Sequence, residues 1–420
     1  MKENESTPKF SMSDEGANAK ILSKAIILVA GKSTRTFPLT VTKPKALLKV
    51  ANRTMLSVLL DNLQGIVKEA ILVVNYKKEM IEHEFGAAYK DIKLTYVVQK
   101  ETKGTGDALL AAEPVVTNAA DNEFLVIGGD DYFTAEDLAS LAKQKCAVLS
   151  QEVENPSLYG VLHINEKSEL IAIEEKPAKP KSKLVNTGAY VLPKEIFQLL
   201  KKIKKTQRGE YELIDAVVLL KDKPVVVKGN GWLPVTYPWH LLDVNKRLLA
   251  QIKFKSNGKI EPGVTIHGAV QVGKGTIIKS GAYIEGPVLI GQNCTIGPNC
   301  YIRGETALGD GVKIGNAVEV KNSIVGNKTS IGHLSYVGDS IIADHVNFGA
   351  GTIVANLKHD DSTIKSHVGK ELVDSGRRKL GTIIGDGVHT GVHSSIYPGR
   401  KLWPNTTTAP GEIVKYDKQF

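Results

Sequence analysis

The feature of the sequence that most limits its fold is a period of six residues between positions 260 and 320. Every sixth residue there is aliphatic: Ile260, Ile266, Val272, Ile278, Ile284, Ile290, Ile296, Ile302, Leu308, Ile314 and Val320. A period of six drifts around a helix of 3.6 residues per turn, so it does not define a helical face. Short strands joined by turns fit it, because stacked coils of three strands align equivalent residues. The period therefore predicts a parallel β-helix of hexapeptide repeats rather than a Gly/Val-rich linker.

The repeat is interrupted after Val320. Aliphatic positions continue in a new phase at Val325, Ile331 and Val337. The pattern fades near Leu357 and resumes around Ile384, Ile396 and Leu402. The polar interval 358–379 is an insertion, which we expect to project as a loop without adding to the core. Such loops often carry functional sites, although a tolerated surface insertion is the alternative. Residues 403–408 (WPNTTT) fit the repeat poorly, so we expect the β-helix to stop soon after Pro398.

The length of the chain predicts two folded domains. Its 420 residues are 42% hydrophobic, which suffices for two cores. We place a disordered tail at residues 1–22, an α/β domain at 23–250 and the β-helix at 251–420. The tail lacks the apolar segment of a signal peptide, and no stretch is long enough to span a membrane. We therefore expect a cytoplasmic protein that does not bind membranes.

The charge and the cysteines exclude some classes of function. The net charge is +9, but the lysine clusters at 176–183 and 201–205 have no interleaved aromatic residues. Nucleic-acid binding is therefore not expected, and phosphorylated substrates explain part of the positive charge more simply. Cys146, Cys294 and Cys300 form no C-x-x-C pair, which suits a reducing compartment and gives no metal site.

A buried strand followed by a tight turn begins the α/β domain. Residues 25–30 (AIILVA) are a continuous apolar run, as in buried parallel strands. The turn that follows starts at Gly31. Its Gly-Lys-Ser sequence is not a phosphate loop, because the position five residues earlier is Ile26 rather than glycine.

Residues 28–47 resemble the signature loop of sugar-1-phosphate nucleotidylyltransferases, roughly A-G-x-G-T-R-x-x-P-L-T followed by P-K. The resemblance extends through the domain and implies a Rossmann-like nucleotidyltransferase fold. It implies catalytic roles for Arg35 and Lys45, whose charges lie where pyrophosphate leaves. The nucleotide, UTP or dTTP, would be bound by Gly31, Gln99, Gly104 and Thr105.

Later segments of the domain match the family in order. The resemblance implies that the sugar is bound by Gly160, Glu175, Lys176 and Asn186. It also implies that Mg²⁺ is held between phosphate oxygens by Asp130 and Asn245. The chain departs from the family at Ser33, which replaces a glycine, and at Pro234 and His240, which replace aspartates. These departures leave open a domain that only binds nucleotide-sugar or serves as a scaffold.

Residues 331–340 and 347–357 resemble the acetyltransferase half of bifunctional N-acetylglucosamine-1-phosphate uridylyltransferases. Residues 374–381 (DSGRRKLG) are most similar to the archaeal members. The resemblance implies a left-handed β-helix, a homotrimer and acetyl-CoA as the acetyl donor. It implies that His333 is the general base, because an imidazole titrates near neutral pH. The implied substrate contacts are Arg303, Lys321, Tyr336, Asn356 and Lys365.

Together the resemblances imply a bifunctional enzyme. It would acetylate glucosamine or galactosamine 1-phosphate, and it would join a sugar 1-phosphate to the nucleotidyl group of UTP or dTTP. One alternative is an acetyltransferase beside a degenerate α/β domain, and another is a non-enzymatic subunit similar to exchange-factor subunits. A nucleotidylyltransferase with a purely structural β-helix is a third alternative, against which His333, Tyr336 and Asn356 argue.

Overall fold

The computed structural model describes residues 21–116, 122–206 and 209–419. The tail predicted at residues 1–22 lies outside the described residues except for its last two. In the described part of the chain, no helix is long and apolar enough to cross a membrane.

The first part of the chain is an α/β domain with a ten-stranded sheet. The strands of the domain are β1 (Leu22–Leu28), β2 (Lys49–Val50), β3 (Arg53–Thr54), β4 (Val67–Val74), β5 (Ala88–Tyr89), β6 (Ile92–Val98), β7 (Glu123–Gly128), β8 (Ala147–Glu152), β9 (Gly160–Ile164), β10 (Leu170–Glu175), β11 (Leu184–Pro193) and β12 (Val225–Gly229). The short strands β2 and β3 pair with each other outside the sheet. The main path through the sheet is β10-β9-β11-β7-β1-β4-β6-β5, and β8 pairs with β11 and β12.

Helices cover both faces of this sheet. They are α1 (Met55–Asn62), α2 (Lys78–Phe85), α3 (Thr105–Ala111), α4 (Glu113–Val116), α5 (Ala135–Ala142), α6 (Ile196–Leu200), α7 (Leu213–Val217) and α8 (His240–Leu249). Short 3-10 turns span Thr34–Thr36, Leu39–Val41, Lys45–Leu47 and Pro156–Leu158. Neighbouring residues of one strand enter opposite cores, Ile26 on one side and Ile27 on the other. Burial on both faces explains why these strands are continuous apolar runs.

The central strands bring two loops of the sequence together. Strand β1 lies parallel to β7 on one side and to β4 on the other. Parallel strands have their carboxyl ends at the same edge of a sheet, so the turn after β1 lies beside the residues that follow β7. The signature loop and Asp130 therefore both lie at this edge of the sheet.

The second part of the chain is a parallel β-helix with three faces. The first face contains Lys255–Ser256, Val270–Val272, Val288–Ile290, Thr306–Leu308, Ile324–Val325, Ile341–Ile342, Ile383–Ile384 and Lys401–Leu402. The second face contains Lys259–Ile260, Ile277–Ile278, Thr295–Ile296, Lys313–Asn316, Ser330–His333 and Asn347–Phe348. The third face contains Thr265–His267, Tyr283–Glu285, Tyr301–Ile302, Glu319–Lys321, Tyr336–Gly338, Ile353–Val354, Ser395–Ile396 and Ile413–Val414. The predicted fold class is confirmed.

The register of the coils follows the sequence pattern. Ile296 pairs with Ile314 at a spacing of 18 residues, and Ile314 pairs with Ile331 at a spacing of 17. The shorter coil is the phase change seen in the sequence. From Val272 onward the repeat positions are buried, and each contributes roughly 1.5–3 kcal/mol. Ile260 stays 37% exposed because no coil stacks on its outer side.

The β-helix does not stop after Pro398, so that prediction is wrong. Its coils continue through Lys401–Leu402 to Ile413–Val414. Thr390 and Thr408 occupy buried inward positions that aliphatic residues occupy in other coils. Their hydroxyl groups are 2.8 Å from the hydroxyl of Thr352 and 2.6 Å from that of Ser394, respectively. Paired hydroxyl groups can fill the interior without unsatisfied polar atoms, which a count of aliphatic residues overlooks.

The insertion at 358–379 forms an antiparallel hairpin, Lys365–Val368 with Glu371–Asp374. Our expectation that it adds nothing to a core is wrong in one respect. Ile364, at the base of the hairpin, is fully buried, as is Leu380 just after the insertion. Both belong to the apolar cluster between the two domains, so the insertion helps to join them.

That interdomain cluster makes the first face of the β-helix buried on both sides. Ile324, Ile341 and Ile383 point outward into it, whereas the next residue of each strand points into the β-helix. The α/β domain contributes Leu39 and Trp239. The signature loop of one domain is therefore seated directly on the coils of the other.

Two candidate active sites

The first candidate site lies at the carboxyl ends of β1 and β7. Lys45 is held on a short 3-10 turn with its side chain only 7% exposed. Its Nζ is 2.9 Å from Asp130 Oδ2 and 3.9 Å from Asp131 Oδ1. The structure thus brings together the predicted catalytic lysine and the predicted metal-binding aspartate, which are far apart in the sequence.

Asp131 is a site residue that the sequence analysis missed. Its carboxylate accepts hydrogen bonds from Trp232 Nε1 at 3.1 Å and from the backbone N–H of Val235 at 2.8 Å. Burial and the neighbouring charge of Asp130 raise the pKa of Asp131. The segment that contains Pro234 therefore stays docked beside Lys45, although Pro234 itself has no carboxylate. The doubled aspartate after β7 was the available signal.

Asn245 is not placed as a metal ligand, which corrects the sequence-based expectation. It is fully buried on α8. Its Oδ1 accepts a hydrogen bond from Ala51 N at 2.8 Å, and its Nδ2 donates to Glu305 O at 2.8 Å. Both polar atoms therefore join backbone segments of the two domains. The reason is that α8 directs this residue into the domain junction.

The described residues contain no group of three or more His, Cys, Asp or Glu side chains arranged to hold a metal ion. Asp130 is half-exposed and paired with Lys45. One carboxylate together with substrate phosphates is a common way for proteins to bind Mg²⁺. The residues present therefore fit an ion that arrives with the nucleotide better than one held by the protein alone.

The signature turn accommodates Ser33 in place of glycine. Ser33 adopts φ 51°, in the left-handed region that favours glycine and costs other residues roughly 1–2 kcal/mol. Its carbonyl oxygen accepts hydrogen bonds from the hydroxyl groups of Thr36 and Thr40, at 2.7 and 2.9 Å. These bonds hold the turn while Gly31 and Arg35 remain exposed at its rim.

The predicted nucleotide-binding residues Gln99 and Gly104 are neighbours. Gln99 Nε2 donates to Gly104 O at 3.3 Å and to Asp107 Oδ2 at 2.7 Å. Gly104 has φ +108°, and a Cβ there would lie 2.5 Å from the carbonyl oxygen of Tyr211, so only glycine fits. The hydroxyl of Thr105 accepts a hydrogen bond from the N–H of Leu213, an interaction internal to the fold.

The predicted sugar-binding residues lie on three adjacent strands. Glu175 on β10 is in register with Gly160 on β9. Asn186 on β11 donates to the hydroxyl of Tyr190 at 2.7 Å and lies within van der Waals distance of a Cβ built on Gly160. Lys176 follows Glu175, and its N–H donates to Tyr159 O. The four residues thus form one surface beside the turn after β7.

The second candidate site lies along one corner of the β-helix. Lys321 and Arg303 occupy equivalent positions on adjacent coils, at the end of the third face. They line a cavity of about 380 Å³ together with Glu285, Asn322 and Asp339. Arg303 pairs with Glu319 at 3.0 Å, and Lys321 Nζ lies 3.5 Å from Asp339 Oδ2.

Asp339 organises this corner and was also missed by the sequence analysis. It is only 4% exposed and accepts hydrogen bonds from Asn322 Nδ2 at 2.7 Å and from Asn356 Nδ2. Asn356 Nδ2 also lies 3.1 Å from the hydroxyl of Tyr336. The predicted substrate residues Lys321 and Asn356 therefore share one carboxylate, and Asn356 links Tyr336 to it. The spacing of 17 residues from Asn322 to Asp339 and from Asp339 to Asn356 was the available signal.

His333 lies at the corner between the second and third faces, across the third face from Arg303 and Lys321. It ends the strand Ser330–His333 with an exposed side chain, and Leu334 turns the chain with φ 51°. The backbone carbonyl of His333 accepts hydrogen bonds from Ser335 Oγ and Gly351 N. Between the histidine and the Arg303 corner runs an open groove lined by Tyr301, Glu319, Leu334, Tyr336 and Ile353.

Lys365 lies on the hairpin and is not among the residues that line this groove. Its backbone pairs with Asp374, and its carbonyl oxygen accepts a hydrogen bond from Arg400. Its side chain is exposed. A substrate contact by Lys365 therefore stays a prediction, whereas the other four predicted contacts lie on neighbouring coils.

Comparisons with known proteins define the class. The family profile described as "Nucleotidyl transferase" matches residues 24–251, and the profile described as "GMPPB C-terminal domain" matches residues 284–406. A solved structure of a UDP-glucose pyrophosphorylase complexed with UDP-glucose covers 55% of this chain and 100% of its own, with a TM-score of 0.50 and 22% identity. That likeness supports the α/β fold. The chain is thus a nucleotidyl transferase domain joined to a β-helix.

Full-length relatives define the family more closely. The chain is 43% identical over 396 residues to a protein named bifunctional protein GlmU from Methanocaldococcus jannaschii, covering 94% of this chain and 95% of the relative. It is 41% identical over 403 residues to the bifunctional sugar-1-phosphate nucleotidylyltransferase/acetyltransferase of Sulfurisphaera tokodaii, covering 94% and 98%. The chain belongs to this family of bifunctional sugar-1-phosphate nucleotidylyltransferase/acetyltransferases.

Proposed function

We propose that the chain catalyses two reactions of nucleotide-sugar synthesis. One transfers an acetyl group from acetyl-CoA to an amino-sugar 1-phosphate, and the other transfers a uridylyl or thymidylyl group to a sugar 1-phosphate. The observation that carries the proposal is that a chain similar along 94% of its length to bifunctional relatives also gathers two polar sites. Lys45 contacts Asp130 in one domain; in the other, Lys321 and Asn356 contact Asp339, and Asn356 also contacts Tyr336.

In the nucleotidyl transfer, an oxygen of the sugar 1-phosphate attacks the α-phosphorus of UTP or dTTP, and pyrophosphate leaves. Such reactions depend on positioning and on neutralising charge. Lys45 and Arg35 would neutralise the leaving pyrophosphate, Gln99 and Gly104 would bind the base, and the Gly160 surface would hold the sugar. When bound, Mg²⁺ would neutralise phosphate oxygens, and Asp130 is the residue that would hold it.

In the acetyl transfer, the amine of the sugar attacks the thioester carbonyl of acetyl-CoA, and the thiolate of CoA leaves. The imidazole of His333 would accept the proton lost by the amine. Arg303 and Lys321 would bind the sugar phosphate, and Tyr336 and Asn356 would orient the sugar ring. The groove between His333 and the Arg303 corner supports this arrangement, because it is open to solvent beside Tyr301, Glu319 and Tyr336 on three successive coils.

The surroundings of the two reactions are further parts of the proposal. We infer a homotrimer, since His333 and the apolar side chains of Leu334 and Ile353 are exposed in the single chain and a neighbouring subunit would cover them. Sedimentation that gives the mass of one chain would contradict the trimer. We also infer a cytoplasmic location, because UTP and acetyl-CoA are cytoplasmic metabolites.

The decisive experiment measures CoA release and pyrophosphate release from the same preparation. Wild type should release CoA with glucosamine 1-phosphate or galactosamine 1-phosphate. His333→Ala should release CoA 10²- to 10⁴-fold more slowly, because a general base typically contributes that much. His267→Ala, an exposed histidine four coils away, is the matched control and should leave CoA release unchanged. Wild type that releases no CoA with either amino sugar would refute the acetyltransferase.

A second candidate is an acetyltransferase beside an inactive α/β domain. Two observations favour it: Pro234 stands where the family resemblance implies an aspartate, and Asn245 is engaged in the domain junction. The same experiment separates the two candidates, because the second predicts CoA release with no pyrophosphate release at any Mg²⁺ concentration.

A further inference from the structure

The segment that precedes Lys45 forms ion pairs and hydrogen bonds with side chains of the β-helix. Lys43 Nζ lies 2.6 Å from Asp344 Oδ2 and 3.1 Å from Asp386 Oδ1. The hydroxyl of Thr42 donates a hydrogen bond to the other oxygen of Asp386. The three charged side chains are only 18–22% exposed, so water screens their attraction less than at an open surface.

A second contact holds the other end of the same segment. Lys401, which is 1% exposed, donates from Nζ to the carbonyl oxygen of Phe37 at 3.0 Å. Leu39, between these two contacts, and Leu48, beyond them, pack in the interdomain cluster with outward residues of the first face. Residues 37–48 are therefore fixed to the β-helix by polar contacts at two points and by apolar packing.

The contacts lie one step from the first candidate site. Lys43 is separated from Lys45 only by Pro44, whose φ is fixed by its ring and whose ψ is 152°. This short link has little freedom to absorb a shift. A displacement of Lys43 would therefore move the backbone of Lys45, whose Nζ lies 2.9 Å from Asp130.

We propose that Asp344 and Asp386 of the β-helix are positioning residues for nucleotidyl transfer. They hold Lys43 so that Lys45 faces the phosphates of the bound nucleotide. The inference rests on the proposed nucleotidyl transfer but goes beyond it: part of one active site is supplied by the domain that carries out the other reaction.

A neutral residue at the equivalent position of another coil indicates that the charge of these aspartates is not needed for the β-helix itself. At the corner where they lie, a side-chain oxygen of each coil accepts a hydrogen bond from a backbone N–H of the preceding coil. Asp310 accepts from Gln292, Asn327 from Asp310, Asp344 from Asn327 and Asp386 from Asp344. Asn327 makes this bond with a neutral amide, at 3.0 Å. Replacing Asp344 or Asp386 by asparagine should therefore keep the coil while weakening the attraction for Lys43 and, at Asp386, the hydrogen bond that Thr42 donates.

The test compares Asp344→Asn/Asp386→Asn with wild type and with Asp310→Asn. Asp310 occupies the same corner with an exposed side chain, so it is the matched control. The double variant should lose about 10- to 100-fold in kcat/KM for pyrophosphate release, since small misplacements of catalytic groups have effects of this size. CoA release by the double variant, and both activities of Asp310→Asn, should equal those of wild type.

A double-mutant cycle shows whether the effect passes through Lys43. In a Lys43→Met background, Asp386→Asn should cause no further loss, because contacting residues are non-additive. The inference is overturned if the double variant keeps wild-type pyrophosphate release, if Asp310→Asn loses as much, if CoA release falls in parallel, or if the Lys43→Met background leaves the loss unchanged. Wild type that releases CoA but no pyrophosphate would instead refute the proposed nucleotidyl transfer, and this inference with it.

Discussion

The two candidate sites are assembled in different ways. In the α/β domain, Lys45, Gln99 and Asp130 come from distant parts of the chain and are brought to one sheet edge by parallel strands. In the β-helix, Arg303 and Lys321 occupy equivalent positions 18 residues apart, and Asn322 and Asp339 occupy the next positions of adjacent coils, 17 residues apart. Positions in the second site can therefore be read as neighbours from the sequence, whereas those in the first depend on the whole fold.

The sites also differ in what supports them. The β-helix site is built from its own coils, and its network around Asp339 is internal to them. The α/β site is braced from outside by Asp344, Asp386 and Lys401. Substitutions in the two regions should therefore have separable effects, and the following predictions test that separation.

The largest effect is expected for Lys45→Met. It removes the buried positive charge beside Asp130, and losing one preorganised group of this kind costs roughly 10²- to 10³-fold in rate. Pyrophosphate release measured at saturating UTP should fall by that factor, while CoA release stays at the wild-type rate. A parallel fall of both rates would show that the two sites are not separable.

Lys401 should make the stability of the protein depend on pH. Burial lowers its pKa from 10.5 to about 8, so between these values the unfolded chain binds more protons and stability rises with pH. Holding the charge at neutral pH costs about 3 kcal/mol. In urea unfolding followed by tryptophan fluorescence, Lys401→Met should gain stability relative to wild type by up to that amount at pH 7, and the gain should shrink toward pH 10.5. Parallel pH curves would contradict the burial of this charge.

A smaller effect is expected for Asp339→Asn. The change keeps the shape of the side chain but weakens its attraction for Lys321 and its hydrogen bond with Asn356. We expect a roughly tenfold loss in kcat/KM for CoA release, since a hydrogen bond to a charged group is worth about 1.5 kcal/mol. The loss should appear mainly in KM for the amino-sugar phosphate. Pyrophosphate release is the control, and a change there would contradict the separation of the two sites.

The smallest effect is expected at the hairpin. Arg377 bridges to Asp243 of the α/β domain at 2.8 Å, with the aspartate half-exposed. Such pairs are typically worth 1 kcal/mol or less. Arg377→Met and Asp243→Asn should each lower the midpoint of thermal unfolding slightly and to the same extent. A large drop, or unequal drops, would show that the hairpin has a greater part in joining the domains.

Much of the fold follows from local patterns in the sequence. The apolar run at 25–30 and the period of six identify the β1 strand and the coils, because burial of those residues leaves few alternatives. The polar interior at Thr390 and Thr408 could not be predicted, since each threonine is satisfied by a hydroxyl group and a backbone N–H that folding brings to it. The engagement of Asn245 in the domain junction depends in the same way on contacts between the two domains, which no local pattern records.

The stacked coils also restrict how a chain of this kind can change length. A β-helix can in principle gain or lose one coil, because equivalent residues remain aligned. Here the α/β domain contacts five successive coils of the first face, at Leu308, Ile324, Asp344, Asp386 and Lys401. Duplicating or deleting a coil among them would shift later contacts by about 4.8 Å, the distance between neighbouring strands. Repeat number should therefore be free to vary at the two ends of the β-helix and fixed in between.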